Sequence, residues 1–220
     1  MKNTPTPKSI QLPHKEKDVR DYGFKVVYAD PLLLAKEGFP GVAHLPFIFD
    51  SGPGYARLPN RFLIDRALGI WSPKERGKTR NPRPPSRVSM RNYAYALANA
   101  LEWAEARGVD LMTADYSSVL IGRYQVEMQK GFWSARVTPS GPVTVNSRVE
   151  IALEYQMWGV DKGLREPFLI PTIKTTYISG SHANSRSHEA RTVESRKGKA
   201  KVNKRTLTFP SVEEIEAWRK

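Results

Sequence analysis

Three apolar-periodic stretches between residues 89 and 163 most constrain what this chain can fold into, because each repeats its large residues at helical spacing. In the first, Tyr93, Leu97, Ala100, Leu101 and Ala104 share one face, which leaves Arg91, Asn99, Glu102 and Arg107 for water. Ser89 opens it as the N-cap, and Gly108 suits the left-handed position that closes it. The second, over residues 116–130, sets Leu120, Ile121, Tyr124 and Met128 on one side. The third takes Thr144 as its N-cap, buries Val145, Val149, Ala152, Leu153 and Gln156, and stops at Gly163.

The segments in front read differently. Residues 1–20 are polar and hold Pro5, Pro7 and Pro13, the composition of a flexible tail. Residues 23–30 alternate as a strand does, and residues 45–49 predict a second one, edge-like because of Pro46. Asp30 caps a short turn of helix that ends before Gly38, and Asn60 caps another over residues 61–68, with Phe62, Leu63 and Ala67 to bury. The expected fold is therefore mainly α. A small helical bundle over residues 86–166 follows a small mixed α/β region over residues 21–85, the two joined through the extended, proline-rich residues 81–86.

With 220 residues the chain can bury a core, and it contains no cysteine, which removes disulfides, zinc-thiolate sites and thiol nucleophiles. No stretch reaches the apolar length of a membrane span and no charged-then-apolar leader opens the chain, so no membrane partner and a cytoplasmic, nucleoid-associated location are expected. The net charge of +13 is concentrated. Lys74, Arg76, Lys78, Arg80, Arg83, Arg87 and Arg91 stand against Glu75 alone. Arg186, Arg191, Arg196, Lys197, Lys199, Lys201, Lys204 and Arg205 stand against Glu189 and Glu194. Charge for solubility alone would be interspersed, whereas these two runs flank the helical region and suit contacts to phosphates; two solvated tails are the other reading. Residues 167–209, basic and serine-rich with little apolar content, read as an interdomain linker.

Taken in order, Tyr93-Ala-x-Ala-Leu97, Leu101-x-Trp103, Gly108, Tyr124 with Met128 and Gly131, Thr144-Val-Asn-Ser-Arg148 and Trp158 resemble the core-binding domain of phage-type integrases, the tyrosine recombinases. The resemblance spans roughly residues 86–165. It implies a helical module that clamps double-stranded DNA during integration, with self-association on DNA through the full-length protein, and it makes residues 167–209 the strap between two halves of a clamp. Ser211-Val-Glu-Glu214 forms a capping box, with Ile215 and Trp218 beginning an apolar face, and residues 210–220 look like the opening of the recombinase catalytic domain. A helix docked on the module itself is the other reading of that segment.

The tyrosine, arginines, lysine and histidine-type groups with which such recombinases cut DNA match no position here, so no catalytic residue is assigned and the chain alone is not expected to be an enzyme. No cofactor is expected. His14, His44, His182 and His188 lack metal-ligand spacing and read as solvated loop residues, so no metal is expected either. Tyr93, Tyr124 and Tyr155 read as packing groups. What remains is DNA contact. The resemblance turns the start of the third helix to DNA through Thr144, Asn146, Ser147 and Arg148, with Arg87 and Arg91 at the first helix, and the basic run adds Lys197, Lys199, Lys201, Lys204 and Arg205. Arg148 could read guanine and Asn146 adenine, while a solvated helix end is the bland reading of each. Glu150 and Glu154 would repel phosphate and are expected to point away. A stand-alone accessory or regulatory DNA-binding protein is the alternative function, and a purely structural helical protein a third.

Overall fold

In a computed structural model the structure describes residues 23–50, 54–73, 84–133, 137–178, 190–202 and 217–218. The tail over residues 1–20, the basic stretch 74–83, His182, His188, Lys204, Arg205 and the capping box at Ser211 lie outside them. The fold is mainly α, with two small antiparallel sheets.

Strand β1 (Lys25–Tyr28) pairs with β2 (Pro46–Phe49), Val26 opposite Ile48. Between them stands the short helix α1 (Pro31–Lys36), whose first turn is capped as its sequence requires, Asp30 Oδ1 accepting from Leu32 N at 2.9 Å. Helix α2 (Arg57–Ala67) starts earlier than Asn60. Asn60 is not its cap. Its side chain is fully buried and brackets the peptide of Ile48, accepting from the N–H and donating to the C=O, each at 2.7 Å. The amide thus pairs with β2 beside the short backbone bridge of Tyr55 to Phe49, where Ala56 N also donates to Ile48 O at 3.1 Å.

Helix α3 (Arg87–Ala106) begins at Ser86, not Ser89, the Ser86 hydroxyl accepting from Ser89 N at 3.2 Å. It ends at Gly108, with φ +61. Its inner face carries Met90, Ala94, Leu97, Ala100, Trp103 and Ala104. Asn99, expected in water, instead accepts from Tyr124 Oη at 2.9 Å and from Trp133 Nε1 at 3.3 Å. The second stretch is a π-helix (Tyr116–Gln125) running into the single turn α4 (Val126–Gln129). Its wide winding puts Tyr116, Leu120, Tyr124 and Gln125 inward, so that Gln125, polar and outside the apolar periodicity, is buried with them.

Helix α5 (Pro142–Asp161) begins two residues before Thr144; Gly141 is its N-cap, no side chain caps it, and Thr144 stands exposed in its first turn. Val145, Val149, Ala152, Leu153 and Gln156 are buried as their spacing predicts. At Gly159 the helix passes so close to Met112 that a Cβ would overlap its Sδ. A single core runs from Leu45 and Ile48 through Phe62 and Leu63 to Leu97, Trp103, Tyr124, Val149 and Trp158, so the front region and the bundle share one interior.

Polar bonds fix the helices within it. Phe62 meets Trp71, Tyr155 and Trp158 edge-on. The Trp158 indole donates to Asp65 at 3.0 Å, and Lys162 pairs with the same carboxylate at 2.9 Å. Arg66 spans from α2 to Glu154 on α5, 3.3 Å away, and lies over the ring of Tyr93 on α3. Since Tyr93 near the start of α3 is level with Glu154, while Asn99 meets Tyr124, against which Arg148 lies, α3 and α5 run antiparallel.

Residues 167–209 are not wholly a linker. Strands β3 (Thr172–Ile178) and β4 (Ala190–Arg196) form a hairpin, Thr172 opposite Arg196 and Ile178 opposite Ala190, and the chain after it docks on the bundle. Charge and serine content hid the β-branched run Thr172-Ile-Lys-Thr-Thr176, which favours a pleated strand. Among the described residues no helix is long and apolar enough to cross a membrane.

Candidate nucleic-acid interface

The first turn of α5 and the segment that follows β4 lie side by side, although more than fifty residues separate them in sequence. The Asn146 side chain makes the joint: Nδ2 donates to Ala200 O at 2.9 Å and Oδ1 accepts from Ala200 N at 2.8 Å. Alongside, Gln125 Nε2 donates to Gly198 O at 2.7 Å, and Tyr116 Oη donates to Lys197 O at 2.6 Å. Arg196, whose side chain is only 5% exposed, pairs with Glu150 at 2.8 Å and reaches Tyr116 Oη at 3.2 Å. Every second residue of this segment is thereby turned inward. Arg196 and Ala200 are buried, and Lys197, Lys199 and Lys201 project to solvent.

The three lysines form a cationic edge beside the start of α5, on which Thr144 and Ser147 are exposed and Arg148 is half-buried. The uncapped start of α5 adds the positive end of a helix dipole to it, with Pro142 at N1 bringing no N–H of its own. Arg148 Nη1 lies 3.9 Å from Met128 Sδ, and its charge reaches the phenol of Tyr124. Burial nevertheless pushes that phenol, and the phenol of Tyr155, well above the usual tyrosine range.

Asn146 corrects the sequence expectation. Both its polar atoms are spent on the Ala200 peptide, so it is not available to read a base. The two glutamates of α5 are each paired with an arginine. Glu150, its side chain 44% exposed, is paired with Arg196 beside the basic segment. Glu154 is buried against Arg66, with burial raising its carboxyl above the usual range and Arg66 opposing that shift.

Arg87 and Arg91 are exposed, but the antiparallel packing sets them near the opposite end of the bundle, about 27 Å and about 20 Å from the start of α5 by the 1.5 Å rise per helical residue. Arg91 lies close to the exposed Tyr28 and Tyr95, and Arg87 close to His44, whose imidazole burial and that arginine hold below its usual range. The structure therefore brings Lys197, Lys199 and Lys201 beside the start of α5 through Asn146, and leaves Arg87 and Arg91 apart from them. Sequence reasoning missed Arg196, Tyr116 and Gln125. A signal existed in Arg196-Lys-Gly-Lys-Ala-Lys201, where lysines alternate with small residues at the period of an extended chain with one face covered.

Among the described residues no group of His, Asp and Glu is arranged to hold a metal ion. No protein-family model matches the chain, and no curated protein or solved structure matches it.

Proposed function

We propose that this chain is the DNA-holding part of a site-specific recombinase of the phage-integrase type, gripping duplex DNA for integration, with cutting and joining carried out by groups outside these 220 residues. The observation that carries the reading is the joint between Asn146 and Ala200, which turns a motif and a distant charge run into one surface. Lysines on a rigid backing meet phosphates without first having to be ordered, and each phosphate neutralised releases counterions. In this reading Thr144 and Ser147 offer hydroxyls to the DNA backbone and Arg148 reads a base edge. Arg87 and Arg91 belong to a second contact further along the same duplex.

The test is equilibrium binding of a fluorescent duplex across a salt series. A slope of log K on log salt of about −4 to −7 is expected for roughly five to eight neutralised phosphates. Binding that is absent, or indifferent to salt, would overturn the reading.

A further inference from the structure

Arg196 is the most deeply buried cation at the interface, and it has three partners. Nε donates to Glu150 Oε2 at 2.8 Å, Nη1 to Tyr116 Oη at 3.2 Å and Nη2 to Asn146 O at 3.4 Å. The Tyr116 hydroxyl in turn donates to Lys197 O, so a single chain of hydrogen bonds runs from α5 through Arg196 and the π-helix to the first lysine of the segment. Two residues on, Gly198 has φ +91, and a Cβ there would stand 2.9 Å from Ile121 Cγ2. Two residues further, Ala200 is gripped by Asn146.

We propose that Arg196 is the positioning residue of this surface: it locks the segment after β4 to the bundle, and so presents Lys197, Lys199 and Lys201 as a preformed ridge against one strand of a nucleic-acid backbone. The ordering of the ridge stands on these protein contacts, with Arg196 at their centre; its use on DNA rests on the function proposed above. Planar and always charged, a guanidinium can bond a carboxylate, a hydroxyl and a carbonyl together, which an ammonium on a flexible stem does not reproduce. It also cancels Glu150, a negative charge that would otherwise stand beside the lysines.

The test uses the full chain with Arg196→Ala, Arg196→Lys and Tyr116→Phe, the last keeping the ring and removing only the hydroxyl between Arg196 and Lys197. Without DNA, limited trypsin digestion read by mass spectrometry follows cleavage after Lys197, Lys199 and Lys201, with cleavage after Arg91 on α3 as the internal reference. Cleavage at the lysines is expected to quicken about tenfold or more in Arg196→Ala, with Arg196→Lys little better and Tyr116→Phe intermediate, while the reference bond holds. Unchanged cleavage at the lysines overturns the lock. A rise at the reference bond in Arg196→Ala marks general unfolding, and Tyr116→Phe then decides.

With DNA, the Lys199→Ala/Lys201→Ala pair is expected to lower affinity about tenfold in the parent chain and less than about threefold in Arg196→Ala, because lysines on a loose segment contribute little. Equal losses in the two backgrounds overturn the positioning role. Adding Glu150→Gln to Arg196→Ala separates the lock from charge cancellation: full recovery of affinity would mean that Arg196 acts only by neutralising Glu150. A parent chain that does not bind DNA at all defeats the proposed function, and the proteolysis result still decides the lock.

Discussion

The side-chain amide of Asn146 closes on the peptide group of Ala200 as one strand closes on another, N–H to O and O to H–N, at 2.9 and 2.8 Å. Replacing it with alanine strands both backbone groups in a half-buried joint. Asn146→Ala should therefore lower unfolding stability by about 1–3 kcal/mol, measured by denaturant titration. It should weaken an enriched DNA site and random duplex by the same factor. A loss confined to sites with adenine at one position would restore base reading to this residue.

Arg148 is placed otherwise, half-buried, with Nη1 3.9 Å from Met128 Sδ. Arg148→Ala should weaken a site enriched from random duplex by about 1–3 kcal/mol more than bulk DNA if the guanidinium meets a guanine edge. Removing Lys199 and Lys201 should weaken all duplexes alike, since phosphates carry no sequence. An equal loss on both DNAs in Arg148→Ala would reduce this residue to backbone positioning.

Gly141 and Ser86 share an extended backbone, φ −64 with ψ 149 and φ −65 with ψ 161, yet only Ser86 caps its helix with a side chain. Gly141→Ser should then supply the missing acceptor and raise stability by a few tenths of a kcal/mol. If phosphate uses the start of α5, the new hydroxyl competes for the same N–H groups, and DNA affinity should fall although the protein is more stable. Affinity that stays level while stability rises would remove the helix end from the contact.

Asp65 joins α2 to the end of α5. Burial by itself would raise its carboxyl, but the Trp158 and Lys162 bonds, with the charges of Lys162 and Arg61, bring it below the usual range. The unfolded chain therefore binds this proton more readily than the folded one as pH falls. The stabilisation is present above the ordinary aspartate value near 4 and is lost as pH drops through the lower folded value. Asp65→Asn should flatten the acid limb of the stability curve, and Asp65→Ala, which strands the Trp158 N–H and the Lys162 ammonium, should cost about 2–4 kcal/mol at neutral pH. A variant whose acid limb matches the parent's would assign the pH dependence to another carboxylate.

What could be read from the sequence was what local periodicity carries. The buried faces of α3 and α5, the glycines that end them and the Asp30 cap all follow from spacings of a few residues. The misreadings share one cause. Asn60, Asn146 and Asn99 look locally like a cap, a base reader and a wet residue, yet each satisfies a group distant in sequence. A short amide can replace a missing strand partner anywhere in a fold, and nothing near it in sequence says where. Arg196 was hidden differently, by lysines that made its whole run look solvated.

On the function proposed above, the antiparallel course of α3 and α5 sets a length for the DNA contact. With cations at the two ends about 20 Å apart, and duplex DNA rising 3.4 Å per pair, the span corresponds to roughly six base pairs, a little over half a helical turn. A duplex lying along the bundle would show nearly opposite sides to the lysine ridge and to Arg91, so that one end meets a groove where the other meets a backbone. The footprint is then a matter of phase as well as extent. As the oligonucleotide grows, occupancy should rise in two steps, the second arriving only when the far side of the turn comes round to the arginines.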